Sequence, residues 1–173
     1  MLISDDVLML AAEAKSMLEK NNMKISFAES CSGGLLSTIL VSIAGASKVF
    51  DRSFIVYSDQ AKSEVLGIDD NIIAKYGAVS GEVASAMASS LVRKNIGQIG
   101  SGVLGVSITG VFGPDGGTEE KPIGLFYTGY CFSGGEPDYL KLRINVSNRN
   151  ERRLLSANMV YKLINELLSD YNK

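Results

Sequence analysis

Histidine is absent from all 173 residues of this chain. That one gap removes Ser-His-Asp and Cys-His catalysis together with histidine-ligated zinc, so any proton shuttle must use Lys, Tyr, Asp, Glu or Cys. Cysteine occurs only as Cys31 and Cys131, far apart and in no C-x-x-C spacing, so neither a redox pair, a metal site nor a structural disulfide is expected. Cations are not in excess: 17 Lys plus Arg stand against 19 Asp plus Glu, a net charge of -2, with no global positive field for a nucleic-acid backbone. No apolar run approaches the roughly 18 to 20 residues that cross a bilayer, and Asp5 and Asp6 lie where a signal peptide would carry cations. A cytoplasmic protein, off the membrane and without nucleic acid, metal or cofactor, is expected.

What is present suits one globular core. Apolar residues make up 46% and charged residues 21% of a chain that is too short for two ordinary domains, so a single domain over residues 1–173 is expected. Val7, Leu8, Ala11, Ala14 and Leu18 recur at helical spacing after Ser4-Asp5-Asp6, predicting a first helix over 4–21. Residues 24–28 read as a strand and 33–43 as a helix; 52–57 read as a strand, followed by a short helix carrying Lys62 and Leu66. Ser80-Gly81-Glu82 opens a helix with Val83, Met87 and Leu91 inward, and the Ala and Ser between them predict close packing against a neighbour. Residues 103–109 read as a buried central strand, 110–122 as the longest irregular stretch, 123–132 and 139–146 as a hairpin, and 148–170 as a final helix. Interleaved helices and strands predict an α/β fold, a three-layer α/β/α sandwich on a mixed sheet.

Ala-Glu-Ser-Cys-Ser-Gly-Gly (28–34) falls on a strand-to-helix turn, where unpaired helix N–H groups can hold an anion or a developing oxyanion. Ser30 can be a nucleophile there, or simply a helix N-cap, since the motif lacks the Gly two before the Ser of a nucleophile elbow. Cys31 is a rival nucleophile if a helix N-terminus lowers its pKa. Tyr57 and Lys62 flank a second strand-to-helix turn; read alone they are a strand end and a solvated lysine, but a serine nucleophile without histidine needs a base of this kind. The glycines at 110, 113, 116 and 117 allow close backbone approach to a ligand, although no P-loop or G-x-G-x-x-G is formed. Arg149, Arg152 and Arg153 open the last helix against its dipole, which is either surface charge or the mark of an anionic partner.

Four ordered blocks, residues 28–34, Val-Tyr-Ser-Asp-Gln-Ala-Lys (56–62), Gly-Ala-Val-Ser (77–80) and Thr-Gly-Val-Phe-Gly-Pro-Asp-Gly-Gly-Thr-Glu-Glu-Lys-Pro-Ile-Gly (109–124), resemble the CinA C-terminal domain family over nearly the whole chain. The resemblance implies a nicotinamide-nucleotide amidase that converts nicotinamide mononucleotide to nicotinate mononucleotide and ammonia, with Ser30, Tyr57 and Lys62 acting together. It further implies a substrate site built from Glu29, Cys31, Ser32, Gly33, Gly34, Thr109, Gly110, Gly113, Gly116 and Gly117, with Arg149 on the phosphate. Backbone N–H groups around Cys31 to Gly34 would hold the oxyanion. Family habit and the Ala-rich helix suggest a homodimer or larger homo-oligomer. Departures from the pattern are Ser32 for the usual Thr, Asp59 for Asn, Val111-Phe112 for Ile-Ala, and the segment leading into the last helix. Phe112 is expected to narrow or reshape the pocket. The N-terminal domain of longer relatives is not in this sequence, so no pyrophosphatase activity is expected of it. The competing reading is a catalytically silent nucleotide-binding or protein-interaction module of the same fold.

Overall fold

The structure, a computed structural model, describes residues 3–95 and 102–171. Its elements in chain order are α1 (Asp5–Lys20), β1 (Met23–Glu29), α2 (Leu35–Val41), a 3-10 turn (Ala46–Lys48), β2 (Phe50–Ile55), α3 (Asp59–Leu66), α4 (Asp70–Tyr76), α5 (Gly81–Asn95), β3 (Gly102–Gly110), β4 (Leu125–Phe132), β5 (Asp138–Arg143) and α6 (Arg149–Asp170). The sheet order is β2-β1-β3-β4-β5, with β1 parallel to both β2 and β3 and the last two pairings antiparallel. Among the described residues no helix is long and apolar enough to cross a membrane.

Alternation along the strands sorts the layers. Ile25 and Phe27 of β1 and Leu104, Val106 and Ile108 of β3 join a core with α1, α2 and α6. Between them Gly105 and Ser107 face α5: a Cβ on Gly105 would lie 2.5 Å from the Ala88 carbonyl oxygen, and Ser107 donates to the Ala84 carbonyl at 2.7 Å. Ala84 and Ala88 therefore press against the chain's own sheet, so α5's small residues find their close neighbour within the chain. The expected three layers follow, with α1, α2 and α6 on one face and α3, α4 and α5 on the other. Helix α4 was not expected; its start is marked by Asp69, whose carboxylate accepts from the Asn71 N–H at 2.9 Å.

One buried carboxylate governs how the chain leaves β1. Glu29, at 0% exposure, accepts hydrogen bonds from Leu36 N (3.0 Å), Ser37 N (2.9 Å), Ser32 Oγ (2.8 Å), Ser53 Oγ (3.3 Å) and, at short range, Ser37 Oγ. It neutralises the positive end of α2 from inside the core. The helix expected from residue 33 begins at Leu35 instead, because Gly33 and Gly34 take φ values of +61° and +88° to fold the intervening turn. Replacing Glu29 with Gln sets amide hydrogens against these donors. It is expected to cost about 2–3 kcal/mol, roughly 5–10 °C in Tm for a chain of this size, measured by thermal unfolding; an unchanged Tm would mean that α2 does not need the charge.

Candidate active site

The carboxyl ends of the parallel strands β1 and β3 meet beside the end of β2, the position where open α/β sheets leave a ligand crevice. Ser30 follows β1, with its N–H on the Ile108 carbonyl of β3 at 3.1 Å. Tyr57 lies just beyond β2, where Val56 N donates to the Glu29 carbonyl at 2.8 Å. Thr109 is near the end of β3, and its hydroxyl donates to the Ala78 carbonyl at 2.8 Å, drawing the 77–80 segment to the same place. A cleft of about 150 Å³ lies between them, lined by Ser30, Cys31, Tyr57, Lys62, Thr109, Gly110 and Arg149 from the expected set. Asp59, Ala78, Val79 and Phe112 complete its wall. Pockets that enclose a whole drug-sized ligand run to roughly 300–1,000 Å³, so a larger molecule would have only its reacting end inside this cleft.

Ser30 is 7% exposed, and among the described residues its hydroxyl has no hydrogen-bond partner. It is not the cap of α2: the N-cap position is Gly34, and the helix N–H groups of Leu36 and Ser37 are taken by Glu29. Lys62 is 1% exposed, one turn into α3, whose start is fixed by Ser58 accepting from Ala61 N at 3.0 Å. The Lys62 Nζ reaches the carbonyls of Tyr57 (3.3 Å) and Ser58 (3.4 Å) and the Asp59 carboxylate (3.8 Å). Burial pulls the Lys62 pKa below the ordinary lysine value, and the Asp59 charge only partly opposes it. Tyr57 is 61% exposed, and its oxygen accepts from Arg149 Nη2 at 2.8 Å while Nη1 of the same arginine holds the Gly113 carbonyl.

Several expected site residues do other work. Glu29 and Ser32 have no exposed surface and cannot touch a ligand; they build the turn from within. Gly33, Gly34, Gly113, Gly116 and Gly117 do not line the cleft. The N–H of Gly33 closes on the Ser30 carbonyl at 3.1 Å and those of Leu36 and Ser37 are spent on Glu29, so these three are not free to hold an oxyanion. Cys31 lines the cleft, but burial pushes its thiol up to about 12, opposite to the lowering a helix N-terminus would give, so at neutral pH it is a poor nucleophile. Phe112 belongs to the cleft wall, but its ring is anchored in the core. It packs edge-on against Phe126, with centroids 5.9 Å apart, in the core on the α6 side, and is 2% exposed. The signal for its inward turn was the buried partner Phe126, which sequence order places far from it.

Fold and cleft together define a three-layer α/β protein with a crevice at the ends of its parallel strands, holding an unengaged serine and a buried lysine. A family model described as the CinA C-terminal domain matches residues 8–168, and the chain belongs to that family. It is 43% identical over 141 residues to a CinA-like protein of Dictyoglomus thermophilum, covering 82% of this chain and 33% of that one. The chain spans about a third of the length of such curated relatives. Among solved structures it is similar to the competence/damage inducible protein CihA from Agrobacterium tumefaciens, with a TM-score of 0.87 and 30% identity over 98% of this chain and 99% of that one. It shares its fold with a CinA superfamily protein from Escherichia coli, with a TM-score of 0.81 and 24% identity over 97% and 94% of the two chains.

Because burial lowers the Lys62 pKa, the folded protein binds fewer protons than the unfolded chain between that lowered value and the ordinary lysine value of about 10.4. Stability therefore rises with pH through that window, and the cost of burying the ammonium is fully present below it. Lys62→Met, which keeps the stem and removes the charge, is expected to raise Tm at pH 7 by about 2–4 °C for each kcal/mol recovered. The gain should shrink as pH approaches the ordinary lysine range. Thermal melts across pH check this, and a lower Tm for the variant at pH 7 would contradict it.

Proposed function

We propose that this domain is a serine amidohydrolase, a nicotinamide-nucleotide amidase that cleaves the carboxamide of nicotinamide mononucleotide to nicotinate mononucleotide and ammonia. The observation that carries the reading is a serine hydroxyl with no structural task, in one cleft with a lysine whose burial favours the neutral amine. Membership of the CinA C-terminal domain family supports it.

In the proposed reaction neutral Lys62 Nζ takes the Ser30 proton as Ser30 Oγ attacks the carboxamide carbon. The tetrahedral intermediate collapses as the proton passes to the amide nitrogen. Ammonia leaves, and the acyl group stays on Ser30. Water then adds with Lys62 again accepting a proton, that proton returns to Ser30 as the acyl bond breaks, and the acid departs, losing its remaining proton to ammonia or solvent. Tyr57 already accepts from Arg149, so its own O–H is directed elsewhere and can pass the proton between amine and leaving nitrogen. Arg149, at the cleft wall and without a carboxylate partner among the described residues, suits the phosphate, which would lie outside the small cleft.

A second reading, a silent binding module, has one observation in its favour: among the described residues Ser30 makes no hydrogen bond to Lys62 or Tyr57. Hydrogen bonds of this kind often tighten only when substrate binds. Release of ammonia from nicotinamide mononucleotide by the purified domain separates the two. Ser30→Ala and Lys62→Met should each lower kcat by about a thousandfold or more, while Cys31→Ala stays within about tenfold of the parent. Arg149→Met should raise KM by about 10- to 100-fold for the nucleotide, and much less for the nucleoside that lacks the phosphate. The rate should rise with pH on a limb below the ordinary lysine range. Binding without ammonia release, or activity that survives loss of Ser30, would remove the proposal.

A further inference from the structure

The first five residues of α6 include three arginines, Arg149, Arg152 and Arg153, and none has a carboxylate within ion-pair distance among the described residues. Cations there oppose the helix dipole, so their placement calls for another cause. Each grips a carbonyl of a loop at the cleft. Arg149 holds Gly113, Arg152 Nη1 holds Phe112 at 2.9 Å, and Arg153 places both Nε (3.0 Å) and Nη2 (2.7 Å) on the Ser32 carbonyl oxygen. Of the three, Arg153 is the one that hydrogen-bonds the serine turn.

The peptide unit it holds is pinned at both ends. Its carbonyl, from Ser32, accepts from Arg153, while its N–H, from Gly33, donates to the Ser30 carbonyl at 3.1 Å. The two glycines that follow have positive φ and no side chains to resist a flip of that peptide. A Cβ on Gly33 would lie 3.6 Å from Arg153 Nη2, so the guanidinium lies over the turn. Glu29 fixes Ser32 through its hydroxyl from the core side; Arg153 fixes the same residue through its carbonyl from the α6 side.

We propose that Arg153 is a positioning residue for Ser30: by clamping the Ser32–Gly33 peptide it sets the direction in which the Ser30 hydroxyl faces the cleft. The inference rests on the amidase reading only in taking Ser30 as a nucleophile. It predicts a cost in kcat rather than in KM, because Arg153 does not line the cleft.

An alkyl fluorophosphonate tests it without reference to the natural substrate. Ser30 Oγ attacks phosphorus, the O–P bond forms as fluoride leaves, and the serine proton is taken up by Lys62 or solvent. The labelling rate at Ser30, read by intact mass and peptide mapping, would be compared in the parent, Ser30→Ala, Arg153→Ala and Arg153→Lys, beside ammonia release and Tm. Arg153→Ala is expected to label about 10- to 100-fold more slowly, to lose kcat in proportion at nearly unchanged KM, and to recover part of its labelling rate in added guanidinium ion. Arg153→Lys, with one point contact in place of two, should fall between and carries the test if the alanine variant does not fold. Equal labelling of parent and Arg153→Ala overturns the proposal, as does slowing that tracks a fall in Tm and is not rescued by guanidinium. A parent that labels at Ser30 but releases no ammonia defeats the amidase reading while leaving the positioning role standing; a parent that does not label at Ser30 overturns the positioning role as well.

Discussion

The Glu29 carboxylate, buried between α2 and β2, is the contact on which the rest of the site depends. Its partners belong to the serine turn, the first turn of α2 and the neighbouring strand, so one side chain ties together the end of β1, the start of α2 and the flank of β2. A charge with no exposed surface is tolerable only when its acceptor capacity is filled, and here backbone and hydroxyl donors fill it. The consequence for chemistry is indirect. Because Glu29 caps α2 from a distance, Ser30 is released from the task serines most often perform at such a turn.

The same division of labour runs through the cleft. Structural groups satisfy structural needs: Thr109 holds Ala78, Ser58 caps α3, Asn148 caps α6, and Arg152 and Arg153 hold loop carbonyls. Among the described residues the Ser30 hydroxyl at the cleft has no hydrogen-bond partner, and the Lys62 amine is held at an energetic cost. In a chain without histidine the proposed base has to be another side chain, and burial at the strand-to-helix step moves the Lys62 pKa in the direction that role needs, while two carbonyls and a single carboxylate keep the amine from being stranded.

Much of this was legible in the sequence because it is local and periodic. The apolar run 103–109 reads as a buried central strand, and β3 is indeed covered on both faces, while the Ser30, Tyr57 and Lys62 turns fall at the strand ends that meet at the cleft. What the sequence concealed depends on distance. Nothing near Glu29 in the chain says that its carboxylate reaches back over the turn to Leu36 and Ser37. Phe112 looked like an intruder in a glycine loop because its partner Phe126 lies across the β3–β4 pairing. Cys31 looked activated by a helix terminus that Glu29 has already neutralised, and burial moves its thiol the other way. The arginines of α6 were noticed for opposing the dipole, but the carbonyls that explain two of them belong to loops far earlier in the chain.

The account turns on Ser30 carrying the acyl group, and the most direct measurement is rapid acid quench of the domain with nicotinamide mononucleotide, followed by intact-mass and peptide analysis. It predicts a transient adduct equal to the substrate less ammonia, located on Ser30 and absent from Ser30→Ala. Turnover with the adduct on Cys31, or ammonia release that persists in Ser30→Ala, would contradict it.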